Sequence, residues 1–302
     1  MKQRQLADLI QMDSPEAVLE EVIYILGLIS PDIDPGPVTS AFRDTVSLYK
    51  GTYPCYQSCN TEYHDLRHTT DDLIAMARLI HGAVIDGKDL TPRLINVGLI
   101  ATLFHDVGYI QEDEDKEGTG GKYTIGHVQR SMDFLEHHGA EYGLSEGEII
   151  AGRSMILCTD LDVEMSAVSF PAAEAKLLGI LLGSADILAQ MADRTYLEKL
   201  LFLYYEFREG GVGDYKNEVD LLQRTLGFYD FIAQRMEKTA EMTDRFMRLH
   251  LASRWGIKTN LYIDSIERQK NYLKQILKMS DSDPRAYLKR EGIVDRVNER
   301  YV

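Results

Sequence analysis

Apolar residues recur at intervals of three and four along nearly the whole chain and almost never alternate. That is the period of an α-helix rather than of a strand. Only 8 prolines and 23 glycines interrupt 302 residues, so the pattern predicts an all-α fold. The first helix is expected to open at Ser14-Pro15, a capping residue followed by a first-turn proline, and to end near Ser30-Pro31. Val18, Leu19, Val22, Ile23 and Leu26 would form its apolar face. A second helix follows Thr61 and runs to about His81. A third starts at Thr91-Pro92, is apolar on most sides and so should be central, and stops at His105-Asp106.

Further helices are expected at 124–139, 145–158, 172–209 with room for a break, and 214–253, then an amphipathic stretch from 260 before a polar tail. The charged, glycine-containing segment 111–122 has no apolar period and reads as a mobile loop, the alternative being a lid over a site. No repeat or low-complexity linker marks a second domain. Residues 1–50 read as an N-terminal helical segment, 51–256 as a compact multi-helix domain, and 257–302 as a C-terminal helical extension packed on that domain or used as a homodimer surface.

The charge balance narrows the partners. With 33 Lys and Arg against 48 Asp and Glu, the formal charge is −15, the wrong sign for tracking a nucleic-acid polymer. An anionic small molecule would also be repelled unless cations were concentrated at its site, which bound divalent metals do. Cys55, Cys59 and Cys158 are odd in number and form no CxxC pair, so a disulfide framework is not expected and a reducing cytoplasm fits. The N-terminus has no signal-type apolar core. Apolar runs such as Leu177 to Leu182 fall far short of the ~20 residues of a membrane span, so no membrane partner is expected.

The residues able to carry chemistry stand in a fixed order. His64 and His68 are four apart, which on a helix puts both imidazoles on one face. His105-Asp106 closes a buried helix and offers a nitrogen and an oxygen ligand together. Asp186 lies inside an otherwise apolar helix, where a carboxylate is costly unless a metal or another cation compensates it. Each piece is weak alone. HxxxH, HD and D in succession are informative together.

Tyr63 to Asp71, read YHDLRHTTD, resembles the YHxxxHxxD signature of class I cyclic-nucleotide phosphodiesterases within the HD superfamily of metal-dependent phosphohydrolases. Leu99 to Asp106 resembles that family's helix ending in HD, Met155 to Leu161 its ILxTDM helix, Ser184-Ala185-Asp186 its ADxS segment, and Leu226 to Ile232 its GFIDxI stretch. The likeness spans roughly residues 60–250. It implies that His68, His105, Asp106 and Asp186 bind a first metal, that Asp106 bridges to a second, and that His64 is the general acid. Asp71 would orient a histidine. The two divalent ions could be Zn, Fe, Mn, Mg or Co.

The pattern also departs from the family. Tyr109 replaces the second histidine of HDxxHxG, and Thr124 replaces a glutamate three residues before His127, which looks like the family's later histidine. Thr225 stands where the family reads the purine with a glutamine; Gln223 lies two residues earlier and could serve after a helical shift, and Phe228 remains as a ring-stacking wall. The expected activity is therefore hydrolysis of a 3′,5′-cyclic nucleotide or related phosphodiester. A nucleotidase or deoxynucleotide triphosphohydrolase is the alternative, and so is a non-catalytic module sensing a nucleotide or metal. The HD-GYP class is disfavoured, since the GYP signature is absent and Tyr109 stands at the lysine of HDxGK.

Overall fold

In a computed structural model, which describes residues 4–279 and 283–301, the chain is all-helical. Among the described residues the order is α1 (Pro15–Ile29), α2 (Gly36–Tyr49), α3 (Leu66–Ile85), α4 (Pro92–Phe104), α5 (His127–His138) and α6 (Glu146–Ile156). There follow α7 (Ala173–Ala192), α8 (Tyr196–Gly210), α9 (Glu218–Arg235), α10 (Ala240–Trp255), α11 (Leu261–Leu277) and α12 (Ile293–Tyr301). Beyond these and short 3₁₀ turns there is one isolated bridge, Tyr56 to Glu112.

The boundaries follow from local chemistry. Ser14 caps α1 by accepting from the Ala17 amide, Thr91 caps α4 from Leu94, and Asp65 caps α3 by accepting from His68 at 2.8 Å; such caps satisfy amides that the first turn leaves free. The Asp65 cap moves the start of the second expected helix to Leu66. His64 is therefore not helical, and its position depends on tertiary contacts rather than on the period assumed above. The long expected helices also divide, 172–209 at Asp193–Thr195 and 214–253 at 236–239. The expected polar tail forms α12, which buries Ile293 and Val297.

α3 and α7 form the centre. They pack on each other, with α1, α4 and α10 against α3, and α6 and α11 against α7. Val22 of α1 and Leu273 of α11 belong to the same buried apolar cluster as Leu73 and Leu182. α7 is, by length and composition, apolar enough to cross a membrane, a property that counting short apolar runs had missed. Two thirds of it, however, is buried inside the fold, so its apolar surface is used by protein packing. The segment 111–122 is not the free loop expected. Asp115 accepts from Lys122 and Tyr123, the Gln111 amide bonds the carbonyls of Asp115 and Glu117, and the Gln57 amide bonds that of Glu112.

Candidate metal centre

Four elements deliver the site: the first two turns of α3, the end of α4, the N-terminus of α5 and the middle of α7. His68 Nε2 lies 3.2 Å from Asp72 Oδ2, 3.2 Å from Asp106 Oδ2 and 3.6 Å from Asp186 Oδ1. His105 Nε2 lies 3.3 Å from Asp72 Oδ2 and 3.4 Å from Asp106 Oδ2. One ligand atom each from His68, Asp72, His105 and Asp186 falls within 4.8 Å of the others.

Two observations fit this group to a metal ion. His105 Nδ1 is 2.7 Å from the Thr102 carbonyl, which can only accept, so Nδ1 carries the proton and Nε2 presents a lone pair. Both Asp72 oxygens, Asp106 Oδ2 and His105 Nε2 are buried without a hydrogen-bond partner. Their atoms are close yet not aligned on one another, and buried polar atoms are rarely left so. A buried His/Asp group of this kind could bind a metal ion.

Without a cation the cluster holds its charge on the imidazoles. Burial alone would depress His68, but Asp72, Asp106 and Asp186 outweigh it and raise its pKa to about 9. His105 is raised well above its usual value for the same reason. Asp106 is pushed up by burial and pulled further down by His105 and His68, ending well below the carboxylate range. Asp72 goes the other way, raised by complete burial and by Asp186 and Asp106 nearby.

A second group adjoins the first. His64 Nδ1 is 2.6 Å from Glu206 Oε2, and Glu206 Oε1 accepts from the backbone amides of Glu62 and Tyr63 at 2.9 and 2.7 Å. The Tyr109 ring is stacked between His64, 4.2 Å away, and His127, 4.4 Å away. His127 Nδ1 meets the Thr124 carbonyl at 2.8 Å, and its Nε2 faces Asp106 Oδ1 at 3.6 Å. This stack needs Gly108: a Cβ there would stand 2.0 Å from the His127 carbonyl oxygen. On the far wall the Tyr63 hydroxyl donates to Gln190, whose amide donates to Asp186 Oδ1 at 3.0 Å.

These residues line a cavity of about 340 Å³ whose remaining walls are largely apolar, among them Leu161, Leu203, Phe207 and Phe228. His64, His68, Tyr109, Asp106, His127, Asp186 and Phe228 of the expected set all line it, and His105 reaches the metal group from behind. Two expectations are corrected. Asp71 does not orient a histidine. It sits one residue, about 100°, round the helix from Asp72 and faces Arg67 at 4.0 Å, while Asp72 is the carboxylate that meets the histidines. Gln223 is exposed and off the cavity, because α9 turns Leu221, Thr225 and Phe228 inward at helical spacing.

Three contributors were missed: Asp72, Gln190 and Glu206. Asp72 and Gln190 each follow a noted residue, His68 and Asp186, by four positions, the same-face rule already applied to His64 and His68. Glu206 gave no such signal, since α8 also carries Glu198, Lys199, Arg208 and Glu209 and one more carboxylate there does not stand out. Residues 115–242 match a family model described as Npun_R2479-like, an uncharacterised family. That segment holds His127, Asp186 and Glu206 but begins after His64, His68, Asp72 and the His105-Asp106 pair. No curated protein matches the chain.

Proposed function

We propose that this chain is a metal-dependent phosphohydrolase of the HD type acting on a small phosphoester, with a 3′,5′-cyclic nucleotide as the substrate class its sequence resemblance favours. The observation that carries the reading is the convergence of two imidazoles and three carboxylates, with orphaned ligand atoms, beside a histidine already oriented by a carboxylate in the same cavity. A divalent cation held by His68, Asp72, His105, Asp106 and Asp186 would supply Lewis acidity at the phosphoryl group and lower the pKa of water. Asp106 Oδ1, turned to His127 Nε2, supports a second ion there.

The chain's own residues define the rest. Glu206 accepts from Nδ1 and fixes the direction of the His64 ring, so Nε2 is the atom turned to deliver a proton to the departing alkoxide. Tyr109 holds the His64 ring plane by stacking, and Gln190 holds Asp186. The apolar wall with Phe228 shelters the ester and offers a face to a base.

A second reading, a nucleotidase, is favoured by one feature of α9. The Thr225 hydroxyl is spent on the Leu221 carbonyl at 2.8 Å, and with Gln223 outside the cavity that wall presents no free amide to a purine edge. Hydrolysis of bis-p-nitrophenyl phosphate, cyclic AMP, cyclic GMP and nucleoside mono- and triphosphates with Mn²⁺, compared with Asp106→Ala, separates these. Diester cleavage lost in the variant supports the phosphodiesterase; turnover of monoesters or triphosphates alone supports the second reading. Full metal loading with no turnover of any ester leaves a sensing module and sinks both.

A further inference from the structure

The cavity at the metal group changes character away from its histidines and carboxylates. Ile125, Leu161, Phe207, Val212, Tyr215 and Phe228 line it, and each keeps part of its surface open: Ile125 is 78% exposed and the other five are half-buried. The rings of Phe207 and Tyr215 stack with centroids 5.9 Å apart, and those of Phe228 and Phe231 at 6.1 Å, so the aromatic faces support one another. Accessible apolar surface on the wall of a concave site gains free energy when an apolar group covers it.

The polar side chains of the same lining are already engaged. Gln190 is its one amide among the described residues, held at one end by the Tyr63 hydroxyl and at the other by Asp186. The hydroxyls of Thr124, Thr159 and Thr225 donate to the carbonyls of Gly121, Ile156 and Leu221 at 2.7, 2.9 and 2.8 Å. Arg224 is its one Lys or Arg among the described residues, and every nitrogen of the guanidinium meets a carboxylate. Nη1 meets Asp214 at 2.6 Å, and Nε and Nη2 meet Asp220 at 3.2 and 3.1 Å. Asp160 and Asp162 add two more carboxylates to the lining. A base edge therefore finds no free amide, and a second phosphoryl group finds negative charge where it would need a free cation.

We propose that this site takes an ester with a single phosphoryl group and an apolar alcohol, alkyl or aryl, whose carbon skeleton lies against Ile125, Phe207 and Phe228. The proposal rests on the phosphohydrolase reading for placing the phosphoryl group at the metal group. Within that reading it puts an apolar group where the sequence resemblance favours a nucleoside. A purine moved onto this wall loses hydrogen bonds to water that the wall does not replace. A hydrocarbon loses none, and each methylene that leaves water tightens binding about three- to fourfold.

The test is calorimetric titration of methyl-, butyl- and hexylphosphonate, AMP and ATP into the full-length chain in excess Mn²⁺, for wild type, Phe228→Ala and Val212→Asn. Hydrolysis of hexyl phosphate and of the esters named above is followed alongside. Affinity should rise about three- to fourfold per methylene. Hexylphosphonate should bind roughly tenfold or more tightly than AMP, and ATP no more tightly than AMP. Phe228→Ala should cut the hexyl-to-methyl affinity ratio roughly tenfold; Val212→Asn, in the turn after α8, should cut it less, and decides the matter if Phe228→Ala fails to fold by circular dichroism. Affinity independent of chain length overturns the proposal. So does AMP binding more tightly than hexylphosphonate, ATP binding roughly tenfold more tightly than AMP, a ratio unchanged in both variants, or no saturable binding of hexylphosphonate. Chain-length dependence with no ester hydrolysed upholds the apolar subsite and sinks the hydrolytic reading alone; nucleotide hydrolysis with flat phosphonate affinity does the reverse.

Discussion

The Nδ1 atom of His64 lies 2.6 Å from Oε2 of Glu206, a residue 142 positions away in the chain. The same carboxylate is anchored by two backbone amides beside the histidine, so the imidazole, its partner and the local backbone form one closed unit. A histidine held in this way is fixed in tautomer and in direction.

Replacing His64 by Ala should lower kcat on the best-hydrolysed ester by roughly 10² to 10⁴, the usual worth of a positioned acid, without changing metal content. Glu206→Gln should lower kcat by about ten- to a hundredfold with KM nearly constant. A wild-type kcat in Glu206→Gln would show that the carboxylate does not act through His64.

Asp72 and Asp71 are adjacent in sequence but serve different surroundings, and their amide variants separate the two roles. After reconstitution with Mn²⁺, Asp72→Asn should bind metal at least roughly tenfold more weakly, and Asp71→Asn should match wild type by elemental analysis. The reverse result would place the histidine partner where the sequence pattern alone had put it.

The turn after His105-Asp106 tolerates no side chain at position 108, where a Cβ would stand 2.0 Å from the His127 carbonyl oxygen and 2.9 Å from Arg130 Cβ. Gly108→Ala should cost about 2 to 3 kcal/mol by overpacking, read as a lower urea midpoint. It should also reduce turnover more than Gly126→Ala, since a Cβ at Gly126 meets nothing within 4 Å.

His250 carries the clearest pH dependence of stability outside the site. Burial, helped by Arg78 and His81, drives its pKa from 6.5 to about 2, and its Nδ1 meets that of His81 at 2.9 Å. The unfolded chain therefore takes up a proton that the folded chain refuses. The folded state loses stability as pH falls through the unfolded value of 6.5 towards the folded one. Between pH 7 and 5 this is about 1 to 2 kcal/mol. The stability of His250→Gln relative to wild type should rise over that interval in urea titrations; a difference independent of pH would refute the assignment.

Much of the fold was legible because helical period and capping are local. Ser14, Thr91 and the apolar faces that follow them can be read within a few residues, and the all-α class follows from the summed pattern. His105, Asp106 and Asp186 could be noted for the same reason, as polar residues in apolar helical settings, and His68 by its spacing of four from His64. What a local reading cannot supply is the direction of a side chain relative to another helix. Whether Asp71 or Asp72 meets His68 depends on about 100° of helix rotation, and that rotation is set by how α3 packs on α7 and α4.

The sequence by itself therefore determined the all-α class, the capped starts at Ser14 and Thr91, and the His105-Asp106 and Asp186 positions set in apolar helices, because these rest on interactions within a few residues. Only the tertiary structure decided which carboxylates share a point with His68 and His105, that Glu206 reaches His64, and that Gln223 turns away from the cavity. Those outcomes depend on contacts between segments far apart in the chain, and burial in a packed interior, not proximity in sequence, fixes which polar groups must find one another.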